Sequence, residues 1–100
     1  MVKCVLIHEG LGDIEEIDTP LQQDLYMILK GPGTFIGQYE HLNVVVMKCR
    51  ESPFELSPNQ NRLPEPIGDE PVLGRILLIR MNEHAEPEDF TLQEFTRYFV

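Results

Sequence analysis

Apolar residues fall at both odd and even positions from Val2 to His8, in the run V-K-C-V-L-I-H. A run this short, apolar at both parities, predicts a strand covered on both faces and therefore central in a sheet. Glu9 to Asp18 is glycine-containing and acidic, with Glu9, Asp13, Glu15, Glu16 and Asp18 and no basic residue, and it reads as an exposed loop with a short strand around Ile14 to Ile17. Thr19-Pro20-Leu21-Gln22 then has the form of a helix start, with a hydroxyl cap, proline at the first turn and a glutamine able to reach back. Leu21, Leu25, Ile28 and Leu29 share one helical face, which predicts an amphipathic helix of about three turns that stops at Lys30. Gly31 is expected to take the left-handed closing position, and Pro32 blocks continuation.

Thr34 to Glu40 and Asn43 to Arg50 are rich in β-branched and aromatic residues and are separated by a few residues around His41, so they predict a hairpin whose second strand is the more buried. The pattern dissolves from Ser52 to Leu73, where Pro53, Pro58, Pro64, Pro66 and Pro71 fall. Restricted prolines favour an ordered excursion with a local β segment over a floppy linker. Gly74 to Met81 is again apolar at both parities and predicts the last clear strand. Thr91-Leu92-Gln93-Glu94 is a capping box, Phe90 and Phe95 stand at the two positions of a hydrophobic staple, and Leu92, Phe95 and Phe99 share a face. The order strand, helix, strand, strand, long loop, strand, helix predicts one α+β domain over residues 1–100. Its sheet is mixed or mainly antiparallel, of about four to five strands, with two helices packed on it.

Composition changes this picture little and charge changes it more. With 42% hydrophobic and 25% charged residues the chain can build a packed core. A formal charge of −9 argues against gripping a phosphate backbone through a basic surface, so no direct nucleic-acid binding is expected. No apolar run is long enough to span a bilayer, and the first residues turn polar too soon for a secretory leader. A cytoplasmic location is expected. Cys4 and Cys49 read as buried free thiols, with a disulfide open to them only if their strands are neighbours.

Candidate chemistry is sparse. Gly31-Pro32-Gly33-Thr34 lacks the lysine of a phosphate loop, and Gly10-Leu11-Gly12 does not open a helix directly. His8, His41 and His84 make no zinc spacing, and His8 with Glu9 and Asp13 lacks the alternation of a calcium loop. Glu15 with Glu16, or Glu88 with Asp89, could divide acid and base roles, but neither pair has an apolar surround. No metal, cofactor or catalytic residue is assigned. The most ligand-like piece is Asn59-Gln60-Asn61-Arg62, where Asn59, Asn61 and Arg62 could hydrogen-bond a base, a phosphate or a peptide; the same asparagines equally suit turns closed on their own backbone.

Gly31-Pro32-Gly33-Thr34-Phe35, Asn59-Gln60-Asn61-Arg62-Leu63-Pro64, Gly74-Arg75-Ile76-Leu77-Leu78-Ile79 and the segment Pro87-Glu88-Asp89-Phe90-Thr91 together resemble uncharacterised proteins of large DNA viruses of algae. The resemblance implies a viral setting, inside an infected cell, and brings no activity or functional residue with it. The expected function is a non-enzymatic interaction or accessory protein that binds a protein partner through its acidic face and the loop from Ser52 to Leu73. The alternative is binding or sequestering of a nucleotide-like small molecule on Asn59, Asn61 and Arg62. An enzyme assembled from ordinary residues is a third class.

Overall fold

The chain runs β1 (Val2–Ile7), β2 (Ile14–Thr19), α1 (Leu25–Leu29), β3 (Gly33–Tyr39), β4 (Val44–Cys49), β5 (Ile76–Met81), β6 (Pro87–Glu88) and α2 (Leu92–Phe99). The computed structural model describes residues 1–21, 24–52, 55–65, 67–68 and 71–99. Five strands lie in the order β2-β1-β5-β4-β3, and β6 pairs with the end of β5. Every strand pairing among the described residues is antiparallel, so the fold is α+β with an antiparallel sheet and two helices. The two-residue β6, which sets Glu88 against Arg80 and Pro87 against Met81, takes the strand number to six where four to five are predicted.

Both-parity apolar runs end up covered on both faces, as their patterns predict. Val5, Ile7, Val44, Val46, Ile76 and Leu78 face one core with Phe90 and Phe95, while Cys4, Leu6, Met47, Leu77 and Ile79 face another with Leu21 and Leu29. The long loop completes the first core by burying Leu63, Ile67 and Val72. Cys4 and Cys49 are buried free thiols on the second core, and β5 stands between their strands.

The first helix departs from its pattern. Thr19 is the last residue of β2, paired with Val2, and its Oγ1 accepts the Leu21 N–H at 3.1 Å and donates to Asp24 Oδ2 at 3.2 Å. Leu21 has φ 63°, so helical geometry cannot begin there, and α1 is only five residues long. Gln22 and Gln23, part of the expected first turn, lie outside the described residues. Closure is also displaced by one residue: Lys30, with φ 61°, takes the left-handed position. Gly31 follows at φ 155°, where a Cβ would collide with the Glu51 carbonyl oxygen and Cys49 Sγ. Its missing side chain is therefore needed for close approach of the two chain segments.

The second helix follows its sequence signals. Glu94 N–H donates to Thr91 Oγ1 at 3.2 Å and Thr91 N–H donates to Glu94 Oε1 at 3.4 Å, the two halves of a capping box. Phe99 joins this helix to the sheet, with its ring 5.0 Å from Phe95, 6.1 Å from Phe90 and 4.7 Å from Tyr39 between centroids. Arg80 closes the arrangement. Its guanidinium donates to both Glu94 carboxylate oxygens at 3.1 and 2.7 Å, to the carbonyls of Leu42 and Asp89, and lies 5.3 Å over the Phe90 ring. No helix among the described residues is long and apolar enough to cross a membrane.

Candidate functional site

Prolines and asparagines shape the long loop into an ordered excursion. Pro58 bridges Leu73, Asn59 N–H donates to the Val72 carbonyl and Gly74 N–H to the Ser57 carbonyl, both at 2.8 Å. This is the local β segment that the pattern predicts. Beyond it the chain crosses to the β1–β2 turn, where Gln60 N–H donates to the Glu9 carbonyl at 2.8 Å.

The three residues singled out from the sequence sit together at this crossing. The Asn59 Nδ2 is shared among the carbonyls of Gly74 at 2.9 Å, His8 at 3.1 Å and Ile7 at 3.3 Å. Asn61 Nδ2 donates to the His8 and Gly10 carbonyls at 2.9 Å each, and its Oδ1 accepts the Gly12 N–H at 2.8 Å. Asn59 Oδ1 accepts the Asn61 N–H at 3.0 Å. Both amides thus hold the loop against the turn, Asn59 through the carbonyls of buried Ile7 and Gly74 and Asn61 through those of the more exposed His8 and Gly10. Arg62 is exposed on the same segment.

Titratable groups are dispersed by the strand alternation. Glu15 and Glu16 point to opposite faces of β2: Glu15 Oε2 meets His8 Nε2 at 2.6 Å, and Glu16 Oε1 accepts the Leu92 N–H at 3.0 Å. Asp89 Oδ1 accepts the Lys3 N–H at 2.9 Å. Among the described residues no group of three or more His, Cys, Asp and Glu is placed to hold a metal ion. Burial, with Asp89 and Asp18 adding to it, pushes the Cys4 thiol up to about 12, and burial with Glu65 does the same to Tyr39. The hydrogen bond from Arg80 holds the Glu94 carboxyl below its ordinary value against the opposing effect of burial. All three of these groups are committed to packing or to the α2 clamp.

A different part of the surface presents apolar groups to solvent. Because α1 is short, only Leu29 of its residues is buried, and the neighbours Tyr26 and Met27 stand 50% and 76% exposed. With Lys30 and Arg75 they line a mostly apolar hollow of about 420 Å³. Arg75 is held there by donation from Nη1 to the Ile28 carbonyl at 2.9 Å, while its Nε faces Glu9 Oε1 at 4.0 Å. Tyr26 also borders a second depression with Pro32, Glu51 and Ser52, which runs on to a third bearing Leu56 and Leu73 of the loop with Lys48 and Arg50. Four of the chain's eight lysines and arginines, Lys30, Lys48, Arg50 and Arg75, therefore lie along this groove beside one carboxylate, Glu51, which Arg50 meets at 3.7 Å. Tyr26 and Met27, large apolar residues off the helix's apolar face, carried no functional expectation from the sequence, and no local pattern signals the gathering of basic groups from three separate segments.

A family model covers residues 5–98, from within β1 to the last turn of α2. The chain belongs to this family of unknown function, DUF5880. The span that DUF5880 covers contains both the asparagine-braced crossing and the α1 groove. No curated protein and no solved structure matches the chain.

Proposed function

We propose that this chain is a non-enzymatic protein-binding module that takes a short acidic, apolar-bearing segment of a partner protein into the groove beside α1. The observation that carries the reading is the exposed pair Tyr26 and Met27 flanked by Lys30 and Arg75. Tyrosine, methionine and arginine are the residue types enriched where protein interfaces are driest, since they offer large contact area with few polar atoms to desolvate. The basic rim complements carboxylates on the partner, while the overall charge of −9 opposes a polyanion such as duplex DNA. The loop contributes Leu56 and Leu73 to the same groove, which supports its assignment to the binding surface. The sequence resemblance supports a viral accessory role inside an infected cell. A nucleotide-like ligand on Asn59, Asn61 and Arg62 has less support, because the two asparagine amides are taken up by backbone groups.

Selection from a displayed library of random peptides tests this. The expected result is enrichment of Asp or Glu next to large apolar residues, lost when Tyr26→Ala and Met27→Glu are combined in a folded variant. No enrichment, enrichment that the double variant leaves intact, or salt-sensitive capture of duplex DNA instead of peptide would each count against the proposal.

A further inference from the structure

The two edges of the sheet are treated differently. Edge strands invite pairing with other chains, and proteins commonly guard them with charge. On one edge, β2 carries Glu15, Glu16 and Asp18. On the other, β3 reads Gly33-Thr34-Phe35-Ile36-Gly37-Gln38-Tyr39 with no charged side chain, and Phe35 stands 60% exposed upon it. Among the described residues β4 is its only strand neighbour.

The β3–β4 register shifts between Phe35 and Gly37, leaving Ile36 as an extra residue near the middle of the edge. This bulge changes which side chains point to which face. Phe35 and Gln38 lie opposite Met47 and Val45 on the α1 face, whereas Thr34, Gly37 and Tyr39 lie opposite Lys48, Val46 and Val44 on the other, and Ile36 packs on that second face too. Directly opposed residues in an antiparallel ladder must share a face. A regular extended strand can satisfy that rule along only one half of β3. An identical bulged strand related by a two-fold axis satisfies it throughout: Phe35 opposes Gln38 of the second copy, Thr34 opposes its Tyr39, and Ile36 opposes its Gly37.

We propose that two copies of this chain associate by antiparallel pairing of their β3 edges, forming one continuous sheet with the two bulges at its centre. Phe35, 60% exposed in a single copy, comes beside Gln38 of the second copy, and within each chain the same two side chains border a shallow hollow of about 480 Å³ with Val45 and Met81, so the pairing covers an exposed ring. A seven-residue strand is about 23 Å long, which places the interface toward the small end of specific contacts. The seam lies on a strand edge, separate from the α1 groove, so it stands whether or not that groove binds a peptide.

Sedimentation equilibrium from micromolar to sub-millimolar protein decides the matter. The wild-type mass is expected to rise from one chain toward two. Gln38→Lys sets a lysine against Phe35 on either side of the seam's centre and should weaken association about tenfold or more. Phe35→Ser serves the same purpose if the lysine variant does not fold, with far-UV circular dichroism confirming the fold in each case. A wild type that stays one chain at every concentration overturns the proposal, as does a dimer that a folded variant leaves unchanged.

Discussion

Asn61 Oδ1 accepts the backbone N–H of Gly12 at 2.8 Å across a separation of 49 residues, so the long loop supplies a donor-acceptor pair that the β1–β2 turn cannot supply for itself. The same side chain donates to the carbonyls of His8 and Gly10. Asn61→Ala takes the partner from the Gly12 N–H and leaves the His8 and Gly10 carbonyls with Asn59 Nδ2 and the Asp13 N–H alone, and a loss of about 1 kcal/mol is expected in denaturant unfolding. Asn61→Asp keeps the acceptor for Gly12 but turns the donor into a second acceptor, so it should be no better than alanine. Amide exchange at Gly12 should accelerate in both variants; a protected Gly12 with unchanged stability would show that the brace is dispensable.

Phe95→Ala removes a ring buried in the first core against the Phe99 ring, and about 3 to 5 kcal/mol of stability should go with it. The expected signature is a lower denaturant midpoint at unchanged m-value. A loss of under about 1 kcal/mol would mean that α2 contributes little to the core in solution.

Alkali should weaken the fold through Cys4 and Tyr39. Unfolded, these groups release their protons near the ordinary 9.0 and 10.0, whereas the native state holds both to about 12. Their contribution is complete below pH 9.0 and disappears as pH rises toward about 12, because only the unfolded chain gains from deprotonation in that window. Cys4→Val should flatten the first part of this decline. In the native protein at neutral pH, a thiol reagent should label Cys4 only as fast as the chain opens.

The Arg80–Glu94 pair predicts the opposite slope in acid. Glu94 is held below its ordinary 4.5 chiefly by the hydrogen bond from Arg80, so its contribution is present above pH 4.5 and is lost as pH falls through the lowered native value. With the carboxylate a third exposed, screening limits the pair, and Glu94→Gln should cost about 1 kcal/mol at neutral pH. Comparing the two proteins well below pH 4.5 should show the difference vanish.

Local signals were legible where local forces decide. The Thr91 and Glu94 capping exchange and the apolar parity of β1, β4 and β5 need only neighbouring residues and a sheet to lie on. Thr19-Pro20-Leu21 misled because pairing of Thr19 with Val2 extends β2 through the expected cap, and a ladder contact between distant residues outweighs a capping propensity. Asn59 and Asn61 were found as a chemically dense pair, yet the carbonyls they serve lie fifty residues or more away in several cases, beyond the reach of any local pattern. The α1 groove depends on the helix being short and on Arg75 arriving from the start of β5, which topology alone decides.

The ladder between β1 and β5, with Val5 beside Leu78 and Ile7 beside Ile76, has a kinetic meaning of its own. During synthesis the first strand must remain without its central neighbour until most of the chain has emerged, and the crossing that secures its turn arrives only shortly before. Closing so large a loop is entropically costly, so folding is expected to be slower than for a chain of this size built on local contacts. Until then V-K-C-V-L-I-H is an unprotected apolar ribbon, and the acidic hairpin that follows it is the nearest element that can shield it from other nascent chains.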